Sequence, residues 1–298
     1  MTRAVIITNP AAARADEAHL LAARDRFVGA GLAVEIARTG SPGDGRRLAR
    51  EALAGGAELL IAHGVDGTAM DVAAALVGGD VPLGLLPAGT GNLLAGNLRI
   101  SRSWRVATDV ILHGVARRID VGLLKTATAE RHFAVACGAG FDAELMRSTA
   151  ARHKRAFGMG AYVATAVGLA MAIPRSRLRV EADGVVHEAP AALILIANCG
   201  EMIPRLLALR ADVRPDDGLF DIVILDAASI PSAARVVGRM LFRRTEGAPG
   251  ITFLRATAVR VTAEPDLPVQ ADGEAAGITP MAVTLLPRAL AVLAPRGA

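Results

Sequence analysis

With 298 residues, 52% of them hydrophobic and 21% charged, the chain is built to fold, with room for two cores, and is not a disordered one. A net charge of +4, carried almost wholly by Arg, suits anionic partners such as nucleotides and acidic lipid surfaces. Aromatic residues are only 3% of the chain, too few for base stacking, so nucleic acid is not an expected partner.

Residues 3–8 read as a buried strand that stops at Asn9-Pro10. The apolar run starts too early and is too short for a signal peptide. An Ala-rich helix is predicted over 11–30, ended by Gly31, then a strand over 32–37 and a helix over 44–54 closed by Gly55-Gly56. Two apolar runs follow, 59–62 and 81–86. The first leads into His63-Gly64-Val65-Asp66-Gly67-Thr68 and a helix over 69–76. The second leads into Pro87-Ala88-Gly89-Thr90-Gly91-Asn92. An apolar strand, a Gly-rich turn and a helix start is how α/β proteins offer backbone N–H groups to phosphates. Two such turns within thirty residues suggest a nucleotide site. One more helix is predicted over 103–113.

The rhythm changes near Arg117, and a domain boundary is expected within 116–122. Strands are predicted over 118–124 and 132–137, and helices over 142–151, 161–173 and 230–242. The helix over 161–173 falls short of the roughly 20 residues that span a bilayer. Strands then dominate, at 177–181, 192–197, 220–225, 257–262, 281–286 and 289–293. Asp183-Gly184, Asp217-Gly218 and Asp272-Gly273 mark turns between them. The expected fold is an α/β N-terminal domain, 1–121, with a parallel sheet and helices on its faces. A β-rich, antiparallel, sandwich-like domain occupies 122–298, its last strand free to return to the first domain. Cys137 and Cys199 each lie in an apolar run and read as buried thiols of a reducing cytoplasm.

No Gly-Lys pair exists, which excludes a P-loop NTPase, and no His-Arg-Asp loop exists, which argues against a protein kinase. The six His show no metal-ligand spacing. The basic cluster at 152–155 reads as a solvated face, with docking to anionic lipid headgroups as the alternative.

Together, Gly64-Val65-Asp66-Gly67-Thr68, Pro87-Ala88-Gly89-Thr90-Gly91-Asn92, Asn9-Pro10, Thr39 and the later Asp217-Gly218 and Asp272-Gly273-Glu274 resemble, in order, the motifs of the diacylglycerol kinase catalytic family of lipid kinases. The resemblance covers essentially the whole chain. It implies an ATP-dependent phosphotransferase that phosphorylates a lipid hydroxyl, with ATP and Mg²⁺ as cofactors. It implies nucleotide contacts at Asn9, Thr39, Gly64, Val65, Asp66, Gly67, Thr68, Gly89, Thr90 and Asn92, with Asp66 organising Mg²⁺–ATP. Asp272 is then the general base, supported by Glu274, and Asp217 with the Leu219 carbonyl is a candidate structural-metal pair. Expected partners are a lipid substrate, a membrane surface touched peripherally from the cytoplasm, and a second copy of the chain. A non-catalytic lipid- or nucleotide-binding relative and an NAD kinase are the competing readings.

The chain departs from the family pattern at four places. Ala11-Ala12-Ala13 replace the Ser-Gly after Asn-Pro, Leu93 stands where many members have an acid, and Asp71 replaces a Glu. Val65 stands at the second Gly of the first motif. Were that position to require a positive φ, a β-branched residue would be poorly suited to it.

Overall fold

The computed structural model describes residues 1–12, 14–41, 43–140, 176–191, 193–203, 207–208, 213–225 and 250–297. The helices predicted over 142–151, 161–173 and 230–242 and the basic cluster at 152–155 lie outside these residues. Two compact units emerge: Met1–Val121 with Pro287–Ala298, and Gly122–Leu286.

In the first unit, β1 (Arg3–Thr8), α1 (Glu17–Gly29), β2 (Ala33–Arg38), α2 (Asp44–Ala54), β3 (Leu59–Gly64), α3 (Asp66–Leu76) and β4 (Leu83–Pro87) alternate in sequence. They are followed by the short α4 (Leu93–Asn97), α5 (Trp104–His113) and β5 (Val115–Lys125), which leads out of the unit. The strands form a parallel sheet in the order β2-β1-β3-β4. β3 is buried along its whole length, as expected of a strand covered on both faces. The α1 helix begins later than the Ala-rich stretch predicts. Asn9 Oδ1 accepts the Ala11 N–H at 3.0 Å, and the Asp16 carboxylate, the true cap, accepts the Ala18 N–H at 2.9 Å. Side-chain bonds to the backbone thus outcompete Ala propensity over this segment.

The second unit contains β6 (Glu130–Phe133), β7 (Ala136–Gly140), β8 (Ser176–Ala182), β9 (Val185–Ala191), β10 (Leu193–Ala197), β11 (Glu201–Ile203), β12 (Leu207–Ala208), β13 (Phe220–Leu225), β14 (Ile251–Ala256), β15 (Ala258–Glu264), β16 (Pro268–Ala271), β17 (Glu274–Ile278) and the start of β18 (Met281–Ala294), which from Pro287 onward belongs to the first unit. One sheet is antiparallel in the order β14-β13-β10-β7-β16-β17. Against it stand β8, β9, β15 and the first half of β18, also antiparallel. Phe133, Leu178, Val180, Ile194, Ile196, Phe220, Ile222, Val259 and Val261 fill one core between the two layers, so this unit is a β-sandwich. The Phe133 and Phe220 rings stack at 5.6 Å between centroids.

Three expectations are corrected. The strand expected over 132–137 is broken at Ala134-Val135 into β6 and β7. The strands expected at 281–286 and 289–293 are one, β18, which continues through Pro287 and through Arg288 at φ 49°. It does so because the Arg288 N–H finds the buried Asp120 carboxylate at 2.7 Å. β9, β11, β12, β14, β16 and β17 lie outside the predicted strands, although the turns at Asp183-Gly184 and Asp272-Gly273 are among those predicted. Cys137 and Cys199 are both buried and free.

Candidate functional site

A parallel sheet ordered β2-β1-β3-β4 reverses direction between β1 and β3. Ligands of open α/β sheets bind at the carboxyl ends of the strands beside such a reversal. Here Thr8 Oγ1 and His63 Nδ1 are 2.8 Å apart across it, and the Asn9 N–H donates to His63 O at 3.0 Å. The Thr39 N–H donates to Thr8 O at 2.9 Å, and the Ala88 N–H to Gly64 O at 2.8 Å. The ends of all four strands are thereby stitched together. Asn9, Thr39, Gly64–Thr68 and Gly89–Asn92 share one edge of the first unit.

Val65 lies at φ −88°, ψ 176°. This is extended backbone, where a β-branched residue is comfortable, so the position makes no demand for glycine on conformational grounds. Gly64 is the constrained position. A Cβ there would lie 2.6 Å from Thr68 Oγ1 and 2.8 Å from its Cβ, so the first turn of α3 packs directly on the strand end. Thr68 is buried by this contact. The helix starts at Asp66, three residues earlier than predicted, and without a side-chain cap. The N–H groups of a helix's first turn have no partner within the helix itself.

Asp66 ties the two loops together. Its Oδ1 accepts the Leu93 N–H at 2.6 Å, and a Cβ on Gly91 would lie 2.9 Å from its Oδ2. Asn92 shapes the second loop from within. Its Oδ1 accepts the Gly89 N–H at 3.0 Å, its Nδ2 donates to Gly89 O at 2.7 Å, and its backbone is left-handed at φ 52°. Asn is among the few residues that adopt that conformation readily. Both ends of the amide are engaged in the loop itself. Gly89 touches Val65, to whose Cα and Cγ1 a Cβ would come within 3.1 Å, and Thr90 is exposed at the tip.

Sequence reasoning missed what lies on the other face of this edge. Residues in register on parallel strands project to the same side. Ile61 is in register with Gly84, whose absent Cβ would meet Ile111 of α5. His63, in register with Thr8 and Leu86, projects to that same α5 face. There it lines a cavity of about 650 Å³, together with Arg14, Glu17, Arg102 and Trp104. Arg102 donates to Gly91 O at 3.0 Å and so braces the second loop. The Trp104 indole N–H is buried with no partner. The only sequence signal was a His ending an apolar strand, a pattern shared by many satisfied core histidines.

Burial holds the His63 imidazole below its ordinary range, partly opposed by the charge of Glu17. The unfolded chain therefore takes up a proton near pH 6.5 that the folded chain does not. Stability contributed by the neutral ring is full above that pH and declines as the pH falls below it. His63→Gln is expected to flatten this decline, measured as urea midpoints across the acidic range. Parallel wild-type and variant curves would show that His63 titrates normally.

In the second unit, Asp272 and Gly273 have φ of 47° and 84°, the pair of positive values a type I′ hairpin turn requires between β16 and β17. The Asp272 carboxylate accepts three backbone N–H groups, from Ala134 at 2.8 Å, Val135 at 3.0 Å and Ala136 at 2.9 Å. This is why the strand breaks at Ala134-Val135: those amides leave the ladder to bind a carboxylate. Gln270 Oε1 accepts the Gly273 N–H at 2.8 Å. Glu274, in the same hairpin, pairs with Arg131 at 2.6 Å.

Asp217 makes a local turn, its Oδ1 accepting the Leu219 N–H at 3.2 Å, with Gly218 at φ 78°. Arg214 lies 3.7 Å from Asp216. A divalent ion of the Mg²⁺ type needs about six oxygens. The turn offers the adjacent carboxylates of Asp216 and Asp217 and the Leu219 carbonyl, with the Arg214 guanidinium 3.7 Å from Asp216, short of that number of oxygens. Among the described residues no group of three or more His, Cys, Asp or Glu is placed to hold an ion. No described helix is long and apolar enough to cross a membrane.

Residues 3–124 match the diacylglycerol kinase catalytic domain, and residues 135–294 match the YegS C-terminal NAD kinase beta sandwich-like domain. A protein of Bacillus subtilis named diacylglycerol kinase is 29% identical over 99% of this chain and 97% of its own length. A Chromohalobacter salexigens protein named "Probable lipid kinase YegS-like" is 31% identical over 98% of this chain and 93% of its own. The crystal structure of a diacylglycerol kinase from Bacillus anthracis superposes with a TM-score of 0.77 at 20% identity, covering 99% of this chain and 97% of that one, a likeness of fold.

Proposed function

This chain belongs to the diacylglycerol kinase-type family of lipid kinases, and from that premise we propose that it transfers the γ-phosphate of ATP to a lipid hydroxyl, with diacylglycerol or a related lipid as acceptor. The observation that carries the reading is the pair of Gly-containing loops locked by the Asp66–Leu93 bond at the carboxyl edge of the parallel sheet. The N–H groups of Gly67 and Thr68 at the uncapped start of α3 hold phosphate oxygens, and Gly89 and Thr90 approach them from the second loop. Asn9 and Thr39 border the same edge. Mg²⁺ bound with the nucleotide would supply charge neutralisation on the phosphates, and Asp66 is the carboxylate of these loops that would help hold it.

Asp272 takes the proton of the attacking hydroxyl. A strong base is not required there, because phosphoryl transfer depends more on positioning and charge than on proton abstraction. Glu274 acts through its pair with Arg131, holding the hairpin that carries Asp272. Asp217 and Leu219 take no part in these steps. The lipid acceptor brings the protein to a membrane surface from the cytoplasmic side. The extended conformation of Val65 removes the conformational reason to expect an inactive relative.

The test is transfer of labelled phosphate from ATP to a panel of diacylglycerol, phosphatidylglycerol, sphingoid base and prenol, with NAD⁺ included because the second unit matches an NAD kinase-like sandwich. One lipid is expected to be labelled. Labelling of NAD⁺ alone would replace the proposal with NAD kinase activity. Nucleotide binding has its own readout, because Trp104 is the single tryptophan of the chain and Arg102 beside it braces the second loop. Mg-ATP is expected to change its emission and to raise the melting temperature. A protein indifferent to Mg-ATP in both measurements would be a binder of something else.

A further inference from the structure

The three amides that hold Asp272 belong to a short backbone segment, and that segment is itself held from behind. A trans peptide unit carries its C=O and N–H on opposite sides. In the unit joining Ala134 to Val135, the N–H donates to Asp272 Oδ1, while the C=O accepts from Asn198 Nδ2 at 2.9 Å. In the unit joining Val135 to Ala136, the N–H donates to the same Oδ1, while the C=O accepts from the backbone N–H of Asn198 at 2.9 Å and of Cys199 at 3.0 Å. Cys199 Sγ also lies 3.3 Å from Ala134 O. Asn198 is fully buried. It therefore grips both peptide units whose N–H groups converge on one oxygen of the carboxylate. Asp272 closes the arrangement by donating its own N–H to Ala136 O at 2.9 Å.

We propose that Asn198 is a positioning residue for Asp272, fixing the plane of its carboxylate through the Ala134–Ala136 backbone. The inference rests on the reading of Asp272 as the base. Two effects give the Asn198 amide this role. A donor on a peptide carbonyl polarises the N–H at the other end of the same unit and strengthens the bond it makes. It also blocks rotation of that unit, and a small tilt of the amides swings the carboxylate away from the hydroxyl it must meet.

The experiment compares Asn198→Ala with wild type in steady-state lipid phosphorylation. Roughly tenfold or greater loss in kcat is expected, in line with the penalty for a displaced catalytic group. KM for Mg-ATP and for lipid should stay within about twofold, since the proposed effect is on the orientation of the carboxylate and not on binding. Faster hydrogen exchange of the Val135 and Ala136 amides should accompany it. Cys199→Ala removes the weak thiol donor to the same carbonyl and should give a smaller loss of the same kind. Should Asn198→Ala fail to fold, the Cys199 variant decides alone. A wild-type kcat in the folded variants, or a loss that tracks a rise in both KM values, overturns the inference. If Asp272→Asn is inactive in the same assay, the reading of the base survives such a result. If Asp272→Asn turns over fully, that reading fails first.

Discussion

Asp272→Asn is expected to lower turnover by about 10²–10⁴-fold, the range general bases contribute, with KM for ATP little changed. The variant keeps the size and the left-handed turn, because Asn tolerates φ 47° as Asp does. It does not keep the acceptor set. The carboxylate takes two N–H groups on Oδ1 and one on Oδ2. An amide offers one acceptor oxygen and places an NH₂ where the other oxygen was, so at least one buried donor faces a donor. Leaving that group unpaired costs about 1–3 kcal/mol, so the melting temperature should fall as well. Turnover must be measured where the variant is fully folded, by circular dichroism and assay at one temperature. Full turnover there would remove Asp272 from the mechanism and leave it a purely structural carboxylate.

The second large effect is expected at the other end of the chemistry. Asp66→Ala removes the acceptor for the Leu93 N–H and the carboxylate lying against Gly91, so the far end of the second loop loses its side-chain tie to the first. It also removes the negative charge proposed to face Mg-ATP. Loss of roughly 100-fold or more in kcat/KM is expected from the misplacement alone. The rise in melting temperature given by Mg-ATP should vanish, while stability without nucleotide changes by about 1–2 kcal/mol. A variant that still responds to Mg-ATP as wild type does would show that the two loops are not held by this bond.

The parallel sheet and its two loops were legible in the sequence because their signals are local. An apolar run such as Leu59–Ile61 followed by Gly64 and Asp66 declares a strand, a turn and a helix within ten residues. The caution attached to Val65 was also framed by local rules, and the backbone angle answers it: glycine is needed at Gly64, where Thr68 packs, and not at its neighbour. What escaped was non-local. The interruption at Ala134-Val135 depends on a carboxylate at position 272, and nothing near those residues announces it. The continuity of β18 through Pro287 depends on Asp120. Arg14, Arg102 and Trp104 line one cavity with His63 only because α1 and α5 flank the same face of the sheet. The grip of Asn198 on two peptide units lies likewise beyond any spacing rule.

The path of β18 has a consequence for biosynthesis. The first unit is completed by the last residues of the chain, where Val292 pairs with Leu83 of β4 and the Gly78 N–H donates to Ala289 O. The second unit is thus an insertion in the first. During translation at about 5–20 residues per second, the ribosome emits the whole intervening sandwich for roughly ten to thirty seconds before β4 receives its neighbour. Through that interval an apolar strand edge carrying Leu83 and Leu85 stands unpaired, the condition that invites association with other nascent chains. A gene cut after residue 121 would make that condition permanent. The sandwich, whose strands lie within 122–286, has no such dependence and is free to fold first.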